Sequence, residues 1–247
     1  MIRLYHTSDL HDHRQTLGAL RFLRAREPGY LIDCGDSLAG SQTVYHRREP
    51  MTSALDRAGY DLQAMGNREF HYVRRFVRAR LGAMRHPVIC ANLVDARDRP
   101  LPFTADHYAT FDDGAERRQV RFFGLLVPQY PERSPWERLF GWRFLDPFAV
   151  AERVAAQTPI TTTLVALSHL GLDADRRLAQ AVPRLDLILG GHSHDVLPVP
   201  ERIANVPIVH AGPYGAFASQ TELEYDAEAL RMRVIRSRLR PLGATVR

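Results

Sequence analysis

Short, mostly apolar runs recur along the chain at Ile2–Tyr5, Tyr30–Ile32, Leu62–Met65, Leu164–Leu167 and Leu187–Leu189. Runs this short and rich in Leu, Ile and Val predict buried strands. Between them the spacing turns helical. Leu17, Leu20 and Leu23 predict a helix over Arg14–Arg26, and a helix over Pro50–Ala58 opens on proline, whose fixed φ suits the first turn. Phe70, Val73, Val77, Leu81 and Met84 recur as a core stripe, which predicts a helix from Phe70 with Arg74, Arg75, Arg78, Arg80 and Arg85 on its solvated face. Strands at Leu62–Ala64 and Val88–Ala91 complete this half. Beyond Pro100 the pattern becomes extended, and Tyr108–Phe111 and Gln119–Leu125 flank the turn Asp112-Asp113-Gly114, a hairpin signal. Thr161–Leu189 reads as strand, helix, strand, and the chain closes extended over Val206–His210, Ser219–Tyr225 and Arg231–Leu239. Pro128–Pro147 follows neither period. It is expected as a surface segment pinned by Tyr130, Trp136, Phe140, Trp142 and Phe144, or as a wall over a substrate site. Together the elements describe an α/β protein with two sheets and helices outside them.

Each of five strands is closely followed by a short polar motif: Asp9-Leu10-His11, Gly35-Asp36, Gly66-Asn67, Ser168-His169 and Gly190-Gly191-His192-Ser193-His194. Ligands of open α/β sheets gather at the carboxyl ends of strands, so these donors are expected on one rim. Four imidazoles, two carboxylates and one carboxamide suit a pair of borderline divalent cations, and no cysteine cluster supports a thiolate site. Asp36, on a glycine-hinged turn, is the candidate to bridge them. Asp9 and His11 are expected to alternate along a strand end and so share a side, as are His192 and His194. The Gly190-Gly191 pair is expected to let the backbone turn tightly.

The order D-x-H, G-D, G-N-R-E, H, G-H-x-H resembles the calcineurin-like metallophosphoesterase superfamily, and within it the catalytic domain of the 5′-nucleotidase branch. His6-Thr7-Ser8-Asp9-Leu10-His11, Cys34-Gly35-Asp36, Ala91-Asn92-Leu93 and Val209-His210-Ala211-Gly212-Pro213-Tyr214-Gly215 extend the likeness over Ile2–Tyr225. The resemblance implies a four-layer αββα sandwich and hydrolysis of small phosphate esters, nucleotide-like or cyclic, by a metal-activated water. It implies one cation held by Asp9, His11, Asp36 and His194, and a second held by Asp36, Asn67, His169 and His192. Manganese is the first choice of metal, with zinc, iron, cobalt and nickel behind it. The family usually follows the asparagine with a substrate-contacting histidine, itself often paired with an aspartate three residues on. Here Arg68 and His71 stand in those places. Arginine keeps its proton and cannot act as a general acid, but it can hold a phosphate bidentately. Three readings stay open: an Arg68-assisted hydrolase, a hydrolase with His71 as acid, and a metal-binding protein of weak or lost turnover. A related metal hydrolase acting on sulfur-containing esters is a further alternative.

Composition narrows the rest. At 247 residues the chain is expected to be one catalytic domain over 1–247, without the C-terminal domain that supplies nucleoside-binding aromatics in the branch. All 33 basic residues are arginine, which excludes Schiff-base, pyridoxal-phosphate and P-loop chemistry, each of which needs a lysine. A net charge of +5 leaves nucleic acid open as a partner, but no aromatic interleaving favours it over a small phosphorylated substrate. Cys34 and Cys90 end apolar strands and are expected as free buried thiols. Neither a leader-like apolar stretch nor a membrane span is evident, which predicts a cytoplasmic protein.

Overall fold

The computed structural model describes residues 1–243; the last four residues of the expected single domain lie outside that range. The first half runs β1 (Ile2–Thr7), α1 (Leu17–Arg26), β2 (Tyr30–Asp33), α2 (Pro50–Ala58), β3 (Leu62–Ala64), α3 (Arg74–Leu81) and β4 (Val88–Ile89). After it come β5 (Leu93–Asp95), β6 (Asp106–Asp112), β7 (Arg117–Leu126), α4 (Pro135–Phe140), β8 (Trp142–Phe144) and α5 (Pro147–Ala156). The rest is β9 (Thr163–His169), α6 (Leu172–Ala181), β10 (Leu187–Gly190), β11 (Glu201–Ile203), β12 (Val206–His210), β13 (Phe217–Asp226) and β14 (Arg231–Pro241). Two six-stranded mixed sheets form, in the orders β14-β13-β1-β2-β3-β4 and β11-β12-β10-β9-β7-β6, with β5 and β8 as a separate pair.

Period-two alternation builds the layers. Leu4, Ile32, Leu62 and Ile89 of one sheet meet Phe122, Val165, Leu167, Leu187 and Leu189 of the other in a central core. The alternate residues point outward. Tyr5 and Leu31 pack with α1, α2 and α3, and Leu164, Ala166 and Ile188 pack with α5 and α6. Three apolar layers between four layers of structure make the expected αββα sandwich. Because β1 to β4 run parallel, as do β7, β9, β10 and β12, the carboxyl ends of both sheets open onto shared loops.

Several expectations are corrected. The arginine helix starts at Arg74 rather than Phe70, because Asn67–Glu69 form a turn and His71 Nδ1 accepts the Val73 amide at 2.9 Å. Val73 is exposed while Arg80 is buried, its guanidinium donating to the carbonyls of Phe70, Ser41 and Val44 at 2.6, 2.9 and 2.6 Å. An arginine counted as solvated is therefore a core clamp, able to enter because carbonyls satisfy it. Pro128–Pro147 is not irregular: it contains α4 and β8, and Trp142 is fully buried, donating Nε1–H to the Tyr72 carbonyl at 3.1 Å. Helix α5 was not foreseen; Asp146 caps it by accepting the Phe148 amide at 3.1 Å. Both cysteines are free and buried.

Candidate metal centre

The motif residues collect where the loops after β1, β2, β3, β9 and β10 meet. Main-chain bonds staple those loops: Asp9 N–H to Gly35 O at 2.8 Å, His11 N–H to Asp36 O at 3.0 Å, and Gly191 N–H to Ser168 O at 2.9 Å. Strand alternation is not what orients the side chains. Asp9 and His11 lie beyond the end of β1, His192 and His194 beyond the end of β10, and all four have left-handed φ of 53°, 46°, 77° and 62°. Asp36 shares this conformation at 59°. Left-handed backbone is disfavoured for residues with a Cβ, and such strain gathers at functional sites. The glycines serve close approach instead. Neither Gly190 nor Gly191 has positive φ; a Cβ at Gly190 would strike His210 and Asp175, and one at Gly191 would lie 2.8 Å from Ser8 Cβ.

Two triplets bring their ligand atoms within 4.8 Å of one another: Asp9, His11 and His194, and Asp9, Asp36 and His169. Asp9 belongs to both, whereas the resemblance assigns the shared place to Asp36. Asp9 Oδ2 accepts the His192 amide at 3.0 Å, and its Oδ1 stands 3.8 Å from His11 Nε2 and 3.5 Å from His194 Nε2. Asp36 Oδ1 accepts the Arg68 amide at 2.8 Å and lies 3.3 Å from His169 Nε2. The His192 ring tilts against His169 with centroids 5.0 Å apart. Asn67 is half-buried at the rim, and its Oδ1 accepts Gln129 Nε2 at 3.0 Å.

The polar atoms left over fit a cation. Asp9 Oδ1, His11 Nδ1 and His169 Nε2 are buried with no hydrogen-bond partner. His11 Nε2 faces His194 Nε2 at 3.0 Å, two imidazole nitrogens turned toward each other. His169 donates Nδ1–H to the Cys34 carbonyl at 2.7 Å, the orientation that aims the Nε2 lone pair of a metal-binding histidine outward. Burial works against a charge on His169, but Asp36 and Asp9 outweigh it and push its pKa up to about 10, so a proton stands where a cation fits. Burial and the Arg68 charge push His11 down to about 4, leaving it a neutral ligand.

Arg68 and His71 are placed differently from one another. Arg68 sits in the Asn67–Glu69 turn, ahead of α3. Its guanidinium is half-buried, donates to Leu38 O at 3.3 Å and Ala39 O at 3.1 Å, and is close enough for its charge to act on His11. The contacts of His71 are instead with Val73, with Phe76 at a centroid distance of 4.8 Å, and with the Thr43 carbonyl; none is with the seven motif residues. Burial, then the Arg80 charge, lower its pKa.

Sequence reasoning missed three contributors. Glu69 is fully buried and accepts the amides of Asp36, Ser37 and Gly66 at 2.8, 3.0 and 2.9 Å, tying the β2 and β3 loops together. Gln129 reaches Asn67. Tyr214 packs its ring 5.5 Å from both His11 and His194 and 4.8 Å from His13, and its amide donates to Asp9 O at 2.8 Å. The Gly66-Asn67-Arg68-Glu69 and Gly212-Pro213-Tyr214-Gly215 stretches carried that signal.

Known proteins share part of this sequence and the sandwich fold. No protein-family model matches the chain. An uncharacterised metallophosphoesterase of Bacillus subtilis, YunD, is 28% identical over 92% of the chain and 50% of its own length. A 5′-nucleotidase of Rattus norvegicus is 27% identical over 83% of the chain and 39% of its own length. The chain is similar in sequence to metallophosphoesterases and 5′-nucleotidases. Among solved structures of that fold, the calcineurin-like phosphoesterase YfkN of B. subtilis aligns with a TM-score of 0.76 at 18% identity, covering 98% of this chain and 91% of that one. The 5′-nucleotidase precursor of Thermus thermophilus aligns at 0.75 and 23%, over 96% of this chain and 53% of that one. The chain spans about half or less of the curated relatives it matches. The two triplets are residues that could hold divalent cations. No helix among the described residues is long and apolar enough to cross a membrane.

Proposed function

We propose that the chain is a metal-dependent phosphoric ester hydrolase acting on small, nucleotide-like phosphate esters. The observation that carries the reading is the cluster of ligand atoms at the carboxyl ends of both sheets: the buried, unpartnered Asp9 Oδ1 and His169 Nε2 stand beside His194 and Asp36, and His11 Nε2 faces His194 Nε2. Asp9, His11, Asp36, Asn67, His169, His192 and His194 would hold two divalent cations, manganese first, with zinc, iron, cobalt or nickel as alternatives. Such cations supply Lewis-acid polarisation of a phosphoryl oxygen and lower the pKa of water.

The chain's own groups do the rest. Glu69 fixes the Asp36 and Asn67 loops, and the Cys34 carbonyl fixes the tautomer of His169. Arg68 is the anion anchor: by exchanging two carbonyl contacts for phosphoryl oxygens, its guanidinium would bind the ester and stabilise charge developing on it. It cannot protonate a leaving oxygen. His71, engaged by Val73 and the Thr43 carbonyl, has no contact with the centre through which to do so. The enzyme is therefore expected to favour esters with good leaving groups. One domain carries this chemistry over 1–247 in our reading.

A panel of aryl phosphates, nucleoside monophosphates, phosphodiesters and a thiosulfate ester, assayed with Mn, Zn, Co and Ni, tests the proposal. Metal-dependent turnover lost in Asp36→Ala supports it. No turnover of any ester with any metal overturns it in favour of a metal-binding protein, a reading that Arg68 in the usual histidine's place favours. Turnover of the thiosulfate ester alone would reassign the substrate class.

A further inference from the structure

A second recess adjoins the metal centre. Tyr72, Gln129, Tyr130, Trp136 and Phe140 line a pocket of about 240 Å³. That is smaller than the roughly 300–1,000 Å³ of pockets that enclose a whole drug-sized ligand, and so suits one ring system rather than an entire ester. Its aromatic walls lie nearly parallel. Trp136 and Phe140 are inclined at 17° with centroids 5.8 Å apart, Tyr72 and Phe140 at 28° and 4.6 Å, and Tyr72 and Tyr130 at 19° and 6.3 Å. The core rings behind them cross edge-on, Phe70 against Tyr72 at 86° and Tyr130 against Phe144 at 90°. Parallel faces are the arrangement that accepts a further flat ring.

Three of these walls are held from behind. The Tyr72 carbonyl accepts the buried Trp142 Nε1–H at 3.1 Å, Tyr130 donates its hydroxyl to the Trp142 carbonyl at 2.7 Å, and Phe140 ends α4. Trp136 is the free face, 51% exposed although it is among the largest apolar side chains of the protein. Gln129 connects this recess to the chemistry. It lines the pocket, and its Nε2 spans Val127 O at 2.8 Å and Asn67 Oδ1 at 3.0 Å, so the aromatic walls begin one glutamine side chain from a proposed metal ligand.

We infer that this recess is the leaving-group subsite: a planar aromatic group, the base of a nucleotide or the ring of an aryl phosphate, stacks on Trp136 and Phe140 while its phosphoryl group lies at the metal centre. The inference rests on the hydrolase reading for the second half of that statement only, since stacking is measurable without turnover. Selectivity then resides in this domain's own α4.

The test compares adenosine 5′-monophosphate and 1-naphthyl phosphate with ribose 5-phosphate, which lacks the ring, using metal-loaded wild type, Trp136→Ala and Trp136→Phe. Trp136 is exposed, so its removal leaves the core intact. Isothermal titration should show both ring-bearing esters binding more tightly than ribose 5-phosphate. That advantage should fall at least about fivefold in Trp136→Ala, the lower end of what one base–aromatic stack supplies, and largely return in Trp136→Phe. Where the esters turn over, the loss should appear in KM, with kcat nearly unchanged. The larger loss, for the adenine or the naphthyl ester, names the occupant. Equal binding of all three esters to wild type, or an advantage unchanged in Trp136→Ala, overturns the subsite. Ring-dependent binding without turnover would retain the subsite while removing the hydrolase.

Discussion

Replacing Glu69 with Gln changes one atom and no volume, yet it should damage both stability and metal binding. Oε2 accepts the amides of Asp36 and Gly66 at 2.8 and 2.9 Å, and Oε1 accepts those of Ser37 and Leu38 at 3.0 and 3.4 Å. Burial and then the Asp36 charge push the Glu69 carboxyl pKa up. Every partner is nevertheless an N–H donor, so no acceptor stands ready for a carboxylic proton, and the geometry holds the group as a carboxylate. In Glu69→Gln one oxygen becomes an NH2, which turns a donor toward two donors wherever the amide is placed. Two buried N–H groups then lose their acceptor, at about 1–3 kcal/mol each, for a loss of about 2–6 kcal/mol. Against a total stability of about 5–15 kcal/mol that is a large fraction. Urea unfolding of the metal-free proteins measures it, with the m value checked so that a change in midpoint reports stability. Metal affinity should fall about 10–100-fold, as it does when partners of ligating groups are lost. A Glu69→Gln protein within about 0.5 kcal/mol of wild type, below the cost of a single unsatisfied donor, would mean that Glu69 is already protonated or that the loops are held by other contacts.

Other outcomes follow from the same geometry. Asp36→Ala should empty the centre of metal by elemental analysis, whereas His11→Ala should weaken one site, and a well-folded, metal-replete wild type with no metal above background would remove the premise. Arg68→Ala should cost about 1.5–3 kcal/mol in substrate binding or transition-state stabilisation, the range for hydrogen bonds to charged groups, with metal content unchanged; unaltered kinetics on the best substrate would exclude the anchor role. His86 is buried, with Nε2 2.9 Å from Gln63 Oε1, and burial pushes its pKa from 6.5 down to about 4. Below its ordinary pKa the unfolded chain therefore takes up a proton that the folded protein refuses. Stability should fall by about 2 kcal/mol between neutrality and pH ~5 on this account, and His86→Gln should flatten that part of the unfolding profile.

The strands, and the polar motifs gathered at their ends, were legible because both rest on local signals. The apolar runs Ile2–Tyr5, Tyr30–Ile32 and Leu62–Met65 are bounded by polar motifs, and the observed strands Ile2–Thr7, Tyr30–Asp33 and Leu62–Ala64 coincide with them to within two residues. What failed needed knowledge of tertiary neighbours. Arg80 looked solvated because its spacing placed it among exposed arginines; three carbonyls from the Ser41 and Phe70 segments, distant in sequence, bring it inside. Helix α3 starts late because His71 and Glu69 spend their hydrogen bonds on the loops instead of on a helical turn. The 128–147 segment hid α4 and β8 because elements so short carry too little periodicity to register. At the centre, residue types announced the donors, but strand alternation was the wrong account of their direction, since left-handed backbone aims them instead. Gln129 was invisible for the same reason as Arg80: nothing local ties it to Asn67.

The left-handed backbone at Asp9, His11, Asp36, His192 and His194 sets this domain a conflict between durability and chemistry. At roughly 1–2 kcal/mol for each such residue, the centre is a fault line in the metal-free protein. Glycine relieves that penalty, as asparagine does in part, so substitutions that abolish cation binding can make the bare chain sturdier. His194→Gly is the sharpest case, because its side chain is partly exposed and little packing is lost with it. Such a variant should melt above the wild type in chelator and below it in saturating metal. A population selected only for abundance would drift toward it, and the strained histidines persist only where cation binding is itself under selection.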